Sequence, residues 1–263
     1  VIDSLSIFLL SGKFIIGVLF FIRITGIFIA APMLKAKTIP MQMKVILAII
    51  ISLSLTSAFW KDQPVIDFDL WFLVLLVFKE LFVGFAIGFA VNFVFFSARF
   101  AGGLLDFDIG YQTSAMFMSE DTPSLLGEIY EMTILMIFFA INGHFFIFDA
   151  LFHSVKAIPL GSFEMTKPVI TQLLDMVAEF MIIGIKMAGP GLVSLFITNL
   201  ALSLLARVAP QANIFSLSFQ IKVAVGLIVL MFSTPLFVMV SKNALHQFEP
   251  QILNLIIKLN PIR

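Results

Sequence analysis

The chain has 263 residues, 60% of them hydrophobic and only 12% charged, with zero formal net charge and no cysteine. Soluble domains carry about 25% charged residues, so this chain cannot clothe a water-facing surface, and its surroundings are lipid or the apolar flank of other proteins. Neutrality argues against nucleic acid, which needs clustered Lys and Arg. The missing cysteines exclude a disulfide framework, a thiol nucleophile and a cysteine zinc site.

Six apolar stretches approach or exceed the roughly 20 residues that cross a hydrocarbon core: 7–31, 45–60, 70–98, 129–155, 173–205 and 214–240. The first is too long for the apolar part of a signal peptide and carries Arg23, so it reads as a retained span. Runs such as VILAIIISLSL do not alternate as barrel strands do, and lipid satisfies no backbone hydrogen bonds. The fold class predicted is therefore all-α, a polytopic membrane protein with about six long helices, some broken. Pro32, Pro40, Pro64, Pro123, Pro159, Pro168 and Pro210 punctuate the connections. Thr122 is the expected cap of the fourth helix. Lys35, Lys37 and Lys44 make the first connection basic and place it on the cytoplasmic side. The stretch 173–205 is too long for a straight span, and Gly189, Pro190 and Gly191 are its expected break. GFAIG, at 84–88, lets another helix approach closely or is a chance match. After Ser241, Ile252, Leu255, Ile256 and Leu259 fall at helical spacing, as in a tail that lies at the membrane interface or docks on a partner.

Charges inside apolar segments need partners or water. Arg23, Lys79, Glu80, Lys186 and Lys222 are the candidates for buried or intersubunit pairs. Lys79 and Glu80 are adjacent and point about 100° apart on a helix, so each needs a partner elsewhere. Asp175 and Glu179 are spaced i, i+4 but also suit a helix start. Asp149 and His153 have metal-ligand spacing, but two ligands are not a site. No nucleophile elbow, HExxH, phosphate loop or dinucleotide fingerprint is present, so neither an enzyme nor a cofactor or metal is expected.

The stretch LDFDIGYQTSAMFMSEDT, 105–122, is of another kind. Asp106, Asp108, Glu120 and Asp121 surround the soft set Met116, Phe117 and Met118, with Gly102, Gly103 and Gly110 nearby. Unbranched, polarizable methionine fills irregular gaps. Such a loop either folds back on its own helices or occludes a pore, soft enough to seal and able to release.

LARVAPQANIF, 205–215, resembles the signature loop of the FliR family, although Ala212 stands where that family usually has Met. RITGIFIAAPML, 23–34, and GGLLDFDIGYQ, 102–112, resemble the family's first helix end and its glycine–acid–glycine segment, in the same order, and the likeness covers essentially the whole chain. The resemblance implies a subunit of the bacterial flagellar type III protein export gate, at the inner (cytoplasmic) membrane in the flagellar basal body. It implies assembly with FliP-like and FliQ-like subunits beside FlhB-like and FlhA-like components, around a channel for unfolded export substrates. It divides the chain into a FliP-like part, 1–158, a FliQ-like hairpin, 169–240, and the amphipathic tail, 241–263. It makes Gly110, Met116, Phe117 and Met118 the pore plug or gasket, within a plug loop 106–122 flanked by the acids. It makes Arg207, Pro210, Gln211, Asn213 and Phe215 a turn facing the FlhB-like subunit. The alternative is a secondary transporter coupling ions through Glu80, Asp175 or Glu179, which would work without other subunits.

Overall fold

The computed structural model describes residues 12–31, 40–64, 70–111, 124–211 and 213–260. Seven α-helices follow one another along these segments: α1 (Gly12–Ala30), α2 (Met41–Phe59), α3 (Leu70–Ile109), α4 (Leu125–Ala140), α5 (Gly143–Ala157), α6 (Lys167–Val208) and α7 (Ile214–Leu259). A 3-10 turn, Trp60–Asp62, extends α2. No strand occurs among the described residues. Five helices are long and apolar enough to cross a membrane, six if α4 and α5 form one bent span. The all-α polytopic expectation holds.

Four boundaries differ from the sequence reading. The third helix does not stop near Ala98 but runs to Ile109, so Asp106 and Asp108 lie in its last turns and not in a loop. The fourth stretch is two helices, because Asn142 takes a left-handed φ of 61° immediately before Gly143. Asparagine tolerates that conformation far better than a β-branched residue does. The cap of α4 is Ser124, not Thr122: its side chain accepts from the Gly127 amide. And α6 runs unbroken through Gly189, Pro190 and Gly191. Proline withdraws only one donor there, while the Ser194 hydroxyl donates to the Pro190 carbonyl at 2.8 Å. Gly191 instead serves packing, since a Cβ there would come within 2.5 Å of the Leu105 side chain.

The chain forms two compact units. The first comprises Val1–Phe93, Asn142–Met176 and Phe248–Arg263; the second comprises Val94–Ile141 and Val177–Gln247. In the first, α1 lies against the N-terminal half of α3 along glycines. A Cβ on Gly26 would stand 2.6 Å from the Leu81 carbonyl oxygen, and one on Gly88 would stand 2.5 Å from that of Ile27. A Cβ on Gly84 would overlap the Arg23 carbonyl oxygen. The GFAIG pair is thus a close helix contact and not a chance match. Phe20, Ile24 and Ile27 fill the seam, and the Asn92 amide donates to the Ala30 carbonyl at 2.9 Å. The stripe Ile252, Leu255, Ile256 and Leu259 is buried in this unit as the last turns of α7. The predicted amphipathic face is real, and it covers the protein's own core. In the second unit, Phe95 meets Phe138 edge-on at 5.6 Å, and Tyr130 lies 4.3 Å from Phe237.

Candidate functional site

The second unit contains the root of the loop that the sequence singles out. Gly110 ends α3 with φ 91°, its amide bonded to the carbonyls of Asp106 and Phe107 at 3.1 Å each. Positive φ at a helix end is where glycine costs least. On the turn before it, Asp106 is 2% exposed. Its carboxylate accepts from the Ser124 hydroxyl at 2.7 Å and from the Leu126 amide at 3.0 Å. The Ser124 hydroxyl in turn accepts from the Gly127 amide at 2.9 Å. One buried carboxylate therefore satisfies the free amide end of α4, where negative charge is favoured. Gly102, one turn earlier on α3, lets the helices touch, since a Cβ there would overlap the backbone of Gly127.

Asp108 makes a second tie. Its side chain accepts from Asn199 of α6 at 3.2 Å, and its carbonyl accepts from Lys222 of α7 at 3.0 Å. The described residues on either side of 112–123 are thus tied together across four helices, α3, α4, α6 and α7. Met116, Phe117, Met118, Glu120 and Asp121 lie outside the described residues. Phe107, at the same end of α3, is 69% exposed, whereas Ile109 is buried.

Asp106→Ala leaves the Leu126 amide and the Ser124 hydroxyl without their acceptor. Each unsatisfied buried group costs about 1–3 kcal/mol. The expected result is faster amide exchange over residues 124–128 with α3 unchanged, read by hydrogen exchange. Unaltered protection there would contradict the root described.

The first unit holds a buried ion pair. Arg23 and Glu80 are both 0% exposed, with Nε to Oε2 at 2.6 Å. The rest of the guanidinium fork donates to the carbonyls of Ser154 at 3.0 Å and Ile158 at 3.1 Å. These carbonyls lie at the C-terminal end of α5, where cations are favoured; that of Ser154 also accepts from the Ile158 amide at 2.9 Å. The other oxygen of Glu80 accepts from the Gly161 amide at 2.8 Å, and Lys79 donates to the Gly161 carbonyl at 3.1 Å. Adjacent Lys79 and Glu80 therefore reach the same turn without pairing with each other. Gly161 adopts φ 78° and packs on Leu76. Buried charges are tolerated when they are paired and hydrogen-bonded, and each of the three Arg23 nitrogens finds an acceptor within one chain.

The remaining candidates are more open. Lys186 is exposed, and so are Arg207, Pro210, Gln211 and Asn213. Asn213 begins α7, its side chain accepting from the Ser216 amide at 3.4 Å; the side chain of Phe215 lies outside the described set. Asp149 and His153 approach to 3.3 Å, each 53% exposed. No group of three potential metal ligands occurs among the described residues. Sequence reasoning missed Asn199 and Ser124, ordinary polar residues with no distinguishing pattern. It also missed the Arg99–Glu131 pair, 2.8 Å between Nε and Oε2, whose members are 32 residues apart.

Helices of this length and apolarity, in this number, define an all-α polytopic membrane protein. Residues 14–248 match the model of the bacterial export proteins, family 1, and the chain belongs to that family. It is a component of a bacterial export apparatus and not an enzyme. The chain is 30% identical over 241 residues to the flagellar biosynthetic protein FliR of Aquifex aeolicus (strain VF5), covering 90% of this chain and 93% of the relative. Against FliR of Escherichia coli (strain K12) it is 28% identical over 209 residues, 78% and 79% of the two chains. Against the Yop proteins translocation protein T of Yersinia pestis it is 29% identical over 175 residues, 64% and 66% of the two.

Proposed function

We propose that this protein is a subunit of the flagellar type III protein export gate in the inner membrane. The match of residues 14–248 to bacterial export proteins carries this reading, and the relatives that bear flagellar names favour the flagellar form over an injectisome. In it, the chain assembles with FliP-like and FliQ-like subunits, beside FlhB-like and FlhA-like components, around a path for unfolded substrates. Residues 1–158 form the FliP-like part, 169–240 the FliQ-like hairpin and 241–263 the tail. The exposed turn at Arg207, Pro210, Gln211 and Asn213 faces the FlhB-like component. The transporter alternative finds no support in its first carboxylate, because both Glu80 oxygens are engaged by Arg23 and Gly161.

Within this reading the loop rooted on Asp106 is the plug. Gly110 sets its departure, and Met116, Phe117 and Met118 are its sealing side chains, followed by Glu120 and Asp121. A soft seal suits a gate that must close on nothing and open for many sequences.

The assembly is tested by tagging the protein, co-expressing it with the neighbouring export genes and weighing the detergent-purified product by native mass spectrometry. A single heteromeric complex is expected; a stable monomer or homodimer without co-purifying subunits would refute the reading. Deleting residues 112–119 is expected to raise the conductance of the assembled gate to small solutes, measured in planar bilayers. Unchanged conductance would remove the plug role.

A further inference from the structure

The seam between α1 and α2 holds a groove of about 440 Å³, whose apolar walls include Phe14, Val18, Phe21, Ile49 and Leu53. That volume is within the roughly 300–1,000 Å³ of ordinary ligand clefts. Ser52 and Thr56 also line it, but their hydroxyls already donate to the carbonyls of Ile49 and Ser52 at 2.9 and 2.7 Å. The groove wall therefore offers an occupant little but hydrocarbon.

One end of the groove is different. Lys13 lines it, with Nζ 3.9 Å from the centroid of the Trp60 ring. Lys61 approaches the same ring at 5.8 Å, and Lys156 lies 5.9 Å from the centroid of Phe59. All three lysines are exposed, and Asp62 is the acid of the 3-10 turn. Tryptophan and lysine at the end of an apolar helix are the residues that settle at headgroup level. Lysine stems lie along apolar surface while their ammonium groups stay in water.

We propose that this groove binds one anionic phospholipid of the surrounding bilayer. An acyl chain lies along Phe14, Val18, Phe21 and Leu53, and the phosphate sits among Lys13, Lys61 and Lys156. The excess of positive charge at a single end selects this occupant over an apolar partner helix, which brings no anion to that end. A second groove on the same seam, about 400 Å³, shares Phe21 and includes only Lys44 among its lining residues as a cation. It provides an internal control. The inference goes beyond the export-gate reading and does not depend on it.

The test uses the full chain in detergent with equal amounts of phosphatidylglycerol and phosphatidylcholine, and native mass spectrometry to count retained lipid. One phosphatidylglycerol should be held, with a preference over phosphatidylcholine of about tenfold or more, since clustered lysines at headgroup level favour an anionic lipid. Replacing Lys13, Lys61 and Lys156 together by Gln should bring the preference close to one. Lys44→Gln should leave it unchanged. Leu53→Trp, which fills the groove and keeps the lysines, should abolish retention. Lys13, Leu53, Lys61 and Lys156 are exposed and Lys44 is half-buried, so the variants should elute and melt as the parent does. Equal retention of both lipids by the parent chain would overturn the proposal. So would an unchanged preference in the triple variant.

Discussion

Replacing Glu80 by Ala is expected to lower stability by about 3–5 kcal/mol, the cost of leaving one member of a buried pair without the other. Arg23 would remain fully buried with its two carbonyl acceptors but no counter-charge, and the Gly161 amide would lose its partner as well. The measurement is thermal unfolding of the purified protein in detergent, with the yield of membrane-inserted chain as a second reading. Arg23→Lys should also destabilise, because an ammonium group is a point charge and cannot span Glu80, Ser154 and Ile158 as the planar fork does. Arg23→Met combined with Glu80→Leu should recover much of the loss, since a buried pair exchanged for packed apolar groups is often neutral. If Glu80→Ala alone were as stable as the parent, the pair would not hold α1, α3 and the end of α5 together.

The second large effect is expected at Gly84. A Cβ there would overlap the Arg23 carbonyl oxygen and crowd that residue's carbonyl carbon and Cα. These are backbone atoms of a helix, and they cannot rotate aside as a side-chain tip can. Overpacking commonly costs about 1–3 kcal/mol and sometimes more, and at this position the two helices must separate. Gly84→Ala should therefore reduce the folded, inserted fraction sharply, read as the ratio of monodisperse to aggregated protein on size exclusion. Gly12→Ala is the matching control, because a Cβ at Gly12 meets nothing within 4 Å. Equal behaviour of the two variants would contradict the close crossing of α1 and α3.

Those two positions also show what could be read from the sequence. Membrane class and helix number follow from composition, because lipid admits few alternatives. GFAIG announces a close approach but not what approaches. Glu80 and Lys79 announce needed partners; that the partners are Arg23 and the 158–161 turn depends on residues more than 50 positions away. The extent of α3 was hidden for a local reason. Asp106 and Asp108 look like loop residues, since acids are rare in apolar helices, yet Asp106 is helical because its carboxylate finds the amide end of α4. Pro190 misleads in the opposite sense, as a breaker whose single lost bond the rest of a 42-residue helix outweighs. The departure point Gly110 was legible as glycine in an acidic stretch. Its role in ending a helix depends on a positive φ that no spacing specifies.

The Arg23 pair also bears on the order in which the protein is made. The carboxylate that neutralises Arg23 is encoded 57 residues later, and the first of its carbonyl acceptors 131 residues later. At synthesis rates of about 5–20 residues per second, the guanidinium waits ~3–11 s for its counter-ion and ~7–26 s for that acceptor. During that interval the Arg23 guanidinium has neither of these partners, and a charge within an apolar helix needs a partner or water. The final packing of α1 therefore waits until α3 and the end of α5 have been made.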